Sequence, residues 1–249
     1  MFESTGSYIR MKIAVVIPTF ERAYKLNRLL DSLDKQTFKD FDVHIYHDNR
    51  DYETATMVDR AKHDSYRIIQ LVNGQQEFVI GSWNKFFKSM FDEYSILNYQ
   101  AVQWLVDDVA LYPDFLEKAV GALYEHFPDT DGVIGTRQEC PGYSNYTFKW
   151  FGQSLLGRKF IERYKDVDYQ VCCPYYKHFY QDEEMWQFAC SLEKFRNCPE
   201  ALLKHYHPAF DKAELDSTHP LVRGTVMGED RAIYAERKRL NLVWGQSWK

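Results

Sequence analysis

Two adjacent carboxylates, Asp107 and Asp108, stand where an apolar run (Val102, Trp104, Leu105, Val106) stops. Such a run suits a buried strand, and acids at its end are costly to bury unless something positive meets them. A divalent cation with oxygen ligands, itself neutralising a phosphate-bearing substrate, would offset that cost. In open α/β sheets ligands bind beyond the carboxyl ends of the strands, where this pair would lie. The plainer reading is two solvated turn acids, and the pair alone does not decide between them. A second acid cluster, Asp182-Glu183-Glu184, sits in the first turn of a helical stretch running to about Arg196. A late apolar run from Leu202 ends in His205-Tyr206-His207-Pro208.

The elements that must position these groups alternate along the chain. Residues 12–18 form a short, uniformly apolar strand of the buried parallel type, followed by the loop Thr19-Phe20-Glu21-Arg22. Leu26, Leu29, Leu30 and Leu33 recur at helical spacing to about Gln36. A second strand over 42–46 ends at His47-Asp48-Asn49, a helix is expected over 53–62, and a third strand over 67–72 ends in Asn73-Gly74. Gly81-Ser82-Trp83-Asn84 opens another helix, with Ser82 as cap and Phe86, Phe87, Met90 and Phe91 on the buried side. After the Asp107–Asp108 strand, Pro113 starts a helix that ends near His126, and 132–136 reads as one more strand. From 138 to 177 the pattern is irregular, with a weak strand over 169–173. A last strand over 202–207 and a charged helix over 228–239 complete the chain. Strands alternating with helices argue for an α/β fold with a doubly wound, mostly parallel sheet.

The bulk numbers exclude some classes. At 249 residues and 45% hydrophobic content the chain can build one large α/β domain with a proper core. A net charge of −5 gives no overall basic field for nucleic acid or anionic membrane. Lys149, Arg158, Lys159, Arg163 and Lys165 form a local basic stretch with aromatics interleaved, which reads first as a solvated face and second as a single-strand-binding surface. Five cysteines, an odd number without paired metal-ligand spacing, read as reduced thiols of a cytoplasmic protein. No signal peptide and no long apolar run is present. Residues 1–10 are polar, precede a second Met at position 11, and read as a loose leader.

Taken in order, four pieces resemble the inverting nucleotide-sugar glycosyltransferases of family 2, which have the GT-A fold. They are Val15-Val16-Ile17-Pro18-Thr19-Phe20-Glu21-Arg22 with the Leu-rich helix and Gln36-Thr37-Phe38; Asp48 at the end of strand two; Gly81-Ser82-Trp83-Asn84-Lys85 leading into Trp104-Leu105-Val106-Asp107-Asp108-Val109; and the late acid cluster followed by His-Tyr-His-Pro. The likeness covers roughly residues 11–210. It implies a Rossmann-like GT-A sheet flanked by helices in a single domain over 1–249. Residues 11–126 would bind the donor, 127–210 form an irregular acceptor and catalytic half, and 211–249 a helical tail or lid with Lys212 or Arg223 as a clamp. The sequence departs from the family's Asp-x-Asp at Val106, from its usual Asn at Glu21, and from its Arg at Trp83.

The resemblance implies an acceptor hydroxyl attacking the anomeric carbon of a nucleoside-diphosphate sugar, expected to be UDP-linked, with inversion. Pro18, Thr19, Glu21, Arg22, Asp48, Asn84 and Asp107 would bind the nucleotide sugar. Asp108 and His207 would hold Mn²⁺ or Mg²⁺, with His205 the alternative because alternate strand residues point the same way. Asp182, ahead of Glu183 and then Glu184, would be the base, although the same acids suit a helix cap and first turn without any catalysis. The acceptor would be a glycan, a lipid-linked sugar or a protein, and less readily a hydroxymethylated DNA base. A nucleotidyltransferase is a rival reading, but the loop Thr19-Phe20-Glu21-Arg22-Ala23 lacks the glycines that would cradle a triphosphate. A non-catalytic sugar- or partner-binding module is the third.

Overall fold

A computed structural model describes residues 11–61, 65–74, 77–92, 98–139, 152–206, 220 and 222–248. β1 (Ile13–Pro18) is buried along its whole length, as a strand must be when helices cover both faces of its sheet. β2 (Phe41–Asp48) and β3 (Arg67–Asn73) add to one side of it, and β4 (Ala101–Trp104) to the other, all parallel. Beyond β4 the sheet becomes mixed. β5 (Val109–Leu111), β6 (Val133–Glu139), β7 (Leu155–Gly157) and β8 (Phe195–His205) complete the order β3-β2-β1-β4-β7-β6-β8-β5. β7 runs antiparallel to β4 and β6, β8 parallel to β6, and β5 antiparallel to β8. The chain leaves β1 toward β2 but returns on its other side as β4. The crevice at the carboxyl ends of β1 and β4 is therefore a topological switch point, where α/β sheets bind ligands.

The two-residue period of a strand divides the core. Ile13, Val15 and Ile17 pack with Leu26, Leu29, Leu30 and Leu33 of α1 (Ala23–Asp34) and with α4 (Phe115–His126), while α2 (Tyr52–Arg60) follows β2. Ala14 and Val16 face α3 (Phe78–Met90), α5 (Arg158–Ile161) and α6 (Gln181–Ser191). On this second face Trp83 of α3 stacks on Trp104 of β4, with ring centroids 4.8 Å apart. Such a pair adds about 0.5–1.5 kcal/mol beyond its burial, and it fixes α3 over the strand that leads to Asp107.

Several local expectations change. Ser82 does not cap α3: the helix begins four residues earlier, and the Ser82 hydroxyl donates back to the Phe78 carbonyl. The stretch 169–173 forms no strand, because both backbone groups of Cys172 are taken by the Asn84 side chain; residues 155–157 pair with β4 instead. The last strand starts at Phe195 and is much longer than expected, so α6 stops at Ser191. The terminal helix, α7 (Met227–Arg239), lies where the charge pattern put it.

Three members of the basic stretch meet acids of their own chain. Arg163 meets Asp131 at 2.5 Å, Lys159 meets Asp129 at 2.7 Å, and Arg158 lies 3.7 Å from Glu162. Cys172, Cys173 and Cys198 are buried free thiols. No described helix is long and apolar enough to cross a membrane. The leader 1–10, Lys149, Cys140, His207 and Lys212, and the side chain of Arg223, lie outside the described residues.

Candidate active site

The parallel register of β1, β2 and β4 brings three strand ends to one place. Thr19 follows β1, Asp48 ends β2, and Asp107 comes three residues after β4. The Thr19 hydroxyl donates to Asp107 Oδ2 at 2.8 Å, and Arg22 Nη1 donates to Asp107 Oδ1 at 3.1 Å. The same guanidinium nitrogen lies 3.9 Å from Asp108 Oδ2. β5 continues directly from Asp108 and pairs with β8, so His205 arrives beside the acids, its Nε2 at 3.1 Å from Asp108 Oδ1. Its other nitrogen lies 2.7 Å from Gln138 Oε1. Both carboxylates are buried.

Electrostatics divides the pair. Burial raises the Asp107 carboxyl, and the neighbouring Asp108 charge adds to that, against the lowering effect of Arg22 and Thr19. Burial also pushes Asp108 upward, but the His205 hydrogen bond with the charges of His205, Arg22 and Lys25 outweighs it and holds Asp108 well below the usual carboxylate range. Asp108 is thus the acid that keeps its negative charge.

These groups line a cavity of about 370 Å³ that continues to the amino end of α6. Pro18, Thr19, Arg22, Asp48, Asp107 and Asp108 form one side of it. His178, Phe179, Tyr180 and Asp182 lie along its wall as well. Tyr180 precedes α6 with φ +68°, a strained left-handed conformation for a residue with a β-carbon. Asp182 is half-buried in the first turn, its Oδ1 accepting from the Glu183 amide at 3.0 Å. Burial pushes its carboxyl up to about 6, with the nearby Glu183 charge adding to that against the amide hydrogen bonds. A carboxylate of that pKa is well matched to accept a proton near neutrality. Gly152 passes so close that a β-carbon there would stand 3.4 Å from Asp182 Oδ2.

The other acids of the cluster face elsewhere. Glu183 accepts from Tyr234, and the buried Glu184 is gripped by Arg237 Nε and Nη2 at 2.7 and 2.9 Å; neither lines the cavity. Asn84 stands off the cavity because its amide is committed to the backbone of Cys172. Glu21, at φ +54°, is exposed, and its amide bonds Asp51 at 2.6 Å. Asp48 does line the cavity, but Arg50 holds both of its oxygens at 2.8 Å. Residues not anticipated are Gln138, Gln153, Phe179, Tyr180 and Met227. Their placement depends on segments distant in sequence, and nothing in their own spacing signals it.

The donor set suits a hard divalent cation. With Gln138 accepting from Nδ1–H, the Nε2 lone pair of His205 faces a carboxylate oxygen, an arrangement that requires a proton or a metal ion between them. Among the described residues no three His, Cys, Asp or Glu side chains form a ligand group, so Asp108 and His205 offer two protein ligands and leave the rest to substrate or to undescribed residues.

A family model described as glycosyl transferase family 2 matches residues 14–186, a span that includes Thr19, Asp48, Asp107, Asp108 and Asp182 but not His205. The chain belongs to glycosyl transferase family 2. It carries the GT-A glycosyltransferase fold, an eight-stranded sheet flanked by helices. Over 62 residues it is 32% identical to a GalNAc(5)-diNAcBac-PP-undecaprenol beta-1,3-glucosyltransferase of Campylobacter jejuni, a match spanning 25% of this chain and 20% of that protein. Among solved structures, the mannosyltransferase PcManGT from Pyrobaculum calidifontis, in complex with GDP-Man and Mn²⁺, is similar with a TM-score of 0.63 at 14% identity, covering 92% of this chain and 65% of that one. S. aureus TarS 1-349 in complex with UDP-GlcNAc gives 0.61 at 15% identity, covering 86% and 64%. At these identities the likeness is one of fold.

Proposed function

We propose that the protein transfers a sugar from a nucleoside-diphosphate sugar, UDP-linked in the leading reading, to an acceptor hydroxyl with inversion. The observation that carries this is one cavity holding an acid pair, with Asp108 kept charged, at the switch point and, on its wall, a half-buried carboxylate with a pKa near 6. Asp182 accepts the acceptor hydroxyl's proton as that oxygen attacks the anomeric carbon. The new C–O bond forms as the bond to the diphosphate breaks, and a single displacement inverts the centre. Asp108 and His205 would hold a divalent cation, Mn²⁺ or Mg²⁺, with His207 a further candidate. When bound, the cation stabilises the charge of the leaving diphosphate. Arg22 and Thr19 fix Asp107 beside the donor, and Arg22 brings a cation to the phosphate side.

The acceptor is read as a glycan hydroxyl, free or lipid-linked. The C. jejuni relative, named for an undecaprenol-PP-linked glycan, supports that choice, as do the ion pairs that Lys159 and Arg163 of the basic stretch make with acids of their own chain. The whole chain is taken as one catalytic domain, working in the cytoplasm, where free thiols persist.

Titration calorimetry with UDP, GDP and the other nucleoside diphosphates, each with Mn²⁺ and with EDTA, tests the reading. One diphosphate is expected to bind wild type only with the metal, and Asp108→Ala to lose that binding. Failure of every diphosphate under both conditions would remove the donor site and favour a non-catalytic module.

A further inference from the structure

The family match ends at residue 186, yet the wall beside Asp182 is held by a helix some forty residues further on. Asp230 of α7 is fully buried, and its carboxylate accepts three successive backbone amides. Oδ1 takes Lys177 N at 3.0 Å, and Oδ2 takes His178 N at 2.9 Å and Phe179 N at 2.8 Å. Hydrogen bonds to a carboxylate acceptor are the strong kind, and three on one side chain fix a short irregular segment that lies outside the sheet. That segment carries His178, Phe179 and Tyr180 along the cavity wall and delivers the chain into α6, where the Tyr180 carbonyl accepts the Glu184 amide at 3.1 Å.

α7 grips the same region at two more points. Tyr234 stacks on Tyr180 with ring centroids 4.5 Å apart and planes 6° from parallel. Arg237 holds Glu184, which also accepts the Trp244 amide at 2.6 Å. Met227 at the start of α7 lines the cavity itself. The left-handed backbone of Tyr180 is a conformation the chain keeps only when its surroundings impose it, and these contacts supply that constraint.

We infer that Asp230 is a positioning residue for the reaction: through the amides of 177–179 it sets the wall beside Asp182 and the approach of the attacking hydroxyl. This rests on the glycosyl-transfer reading of the cavity. The donor-side acids are held from β1, β4 and β8 and make no contact with Asp230, so donor binding and the placement of the acceptor wall are separable.

The test compares wild type with Asp230→Asn on the whole chain by three measurements: amide exchange at 178 and 179, binding of UDP and GDP with Mn²⁺, and hydrolysis of a panel of sugar nucleotides, with water as the acceptor. Exchange at 178 and 179 is expected to rise while β1 amides keep their protection. Diphosphate binding should stay within about twofold of wild type, and hydrolysis should fall about 10- to 100-fold. Restoration of hydrolysis by Asp230→Glu, which keeps the charged acceptor, would distinguish positioning from simple packing. If β1 protection is lost too, Asp230→Ser, which keeps a hydroxyl oxygen near the amides but no charge, carries the same comparison. Unchanged exchange and hydrolysis, or hydrolysis lost only in step with donor binding, would overturn the inference. If wild type neither binds a diphosphate nor hydrolyses a sugar nucleotide, the functional reading fails instead, and the exchange data still decide whether Asp230 holds the wall.

Discussion

The two sides of the cavity are built by different means. On one side Thr19, Asp48 and Asp107 follow or end buried parallel strands, and the register of the sheet alone sets their spacing. On the other, His178, Phe179 and Tyr180 lie on an irregular segment outside the sheet, fixed by Asp230 and the rest of α7. The first arrangement places groups rigidly and tolerates few changes in the strands. The second lets the wall vary without disturbing the sheet, at the cost of burying charged groups that must all be satisfied. On the proposed reading the donor sits against the first side and the acceptor against the second.

The largest expected effect falls on Asp182. Asp182→Asn should lower transfer or hydrolysis by about 10²–10⁴-fold while leaving diphosphate binding intact, measured by steady-state rates beside calorimetry. With its carboxyl pushed up to about 6, the wild-type rate should fall roughly tenfold per unit as pH drops below that value. The stability sign is opposite to that of an ordinary salt-bridged acid. The folded pKa lies above the ordinary 3.8, so the folded state binds more proton between those values and loses stability as pH rises through them. Asp182→Asn lacks that loss and should melt above wild type at pH 7, the gap closing below pH 4. A variant that melts lower at pH 7 would mean the carboxylate is a structural cap.

Next in size is the buried Arg237–Glu184 pair. Arg237→Met leaves Glu184 charged and without its bidentate partner, and thermal or denaturant unfolding should show a loss of about 3–5 kcal/mol. A loss under about 1 kcal/mol would mean that α7 is dispensable to the fold and weaken the contrast between the two walls. The smallest effect belongs one residue from Asp230. Glu229 pairs with Lys177 at 2.7 Å on an exposed face, and Glu229→Gln should change stability by about 0–1 kcal/mol and leave hydrolysis unaltered. Neighbouring acids on one helix would then differ sharply in effect because one is buried on three amides and the other is in water.

The sequence by itself determined the strand-side wall. Apolar-rich runs ending in Thr19, Asp48 and Asp107-Asp108, alternating with helical periodicity, read as strands of an α/β sheet, so patterning placed these groups at strand ends, while the acid pair by itself read equally as a solvated turn. The acid cluster was legible as a cluster, but not as three separate fates. Residues 182, 183 and 184 point about 100° apart around a helix, and which direction holds a cavity, Tyr234 or Arg237 depends on what packs there. The same limit accounts for Ser82, whose hydroxyl turns back into its own helix, and for Asn84, whose amide serves Cys172, 88 residues away. It accounts equally for Asp230, which local spacing leaves as one acid of a charged helix. Strand periodicity is a local property of the chain, whereas the partner of a polar side chain is fixed only when distant segments close on each other, and that step only the tertiary structure decided.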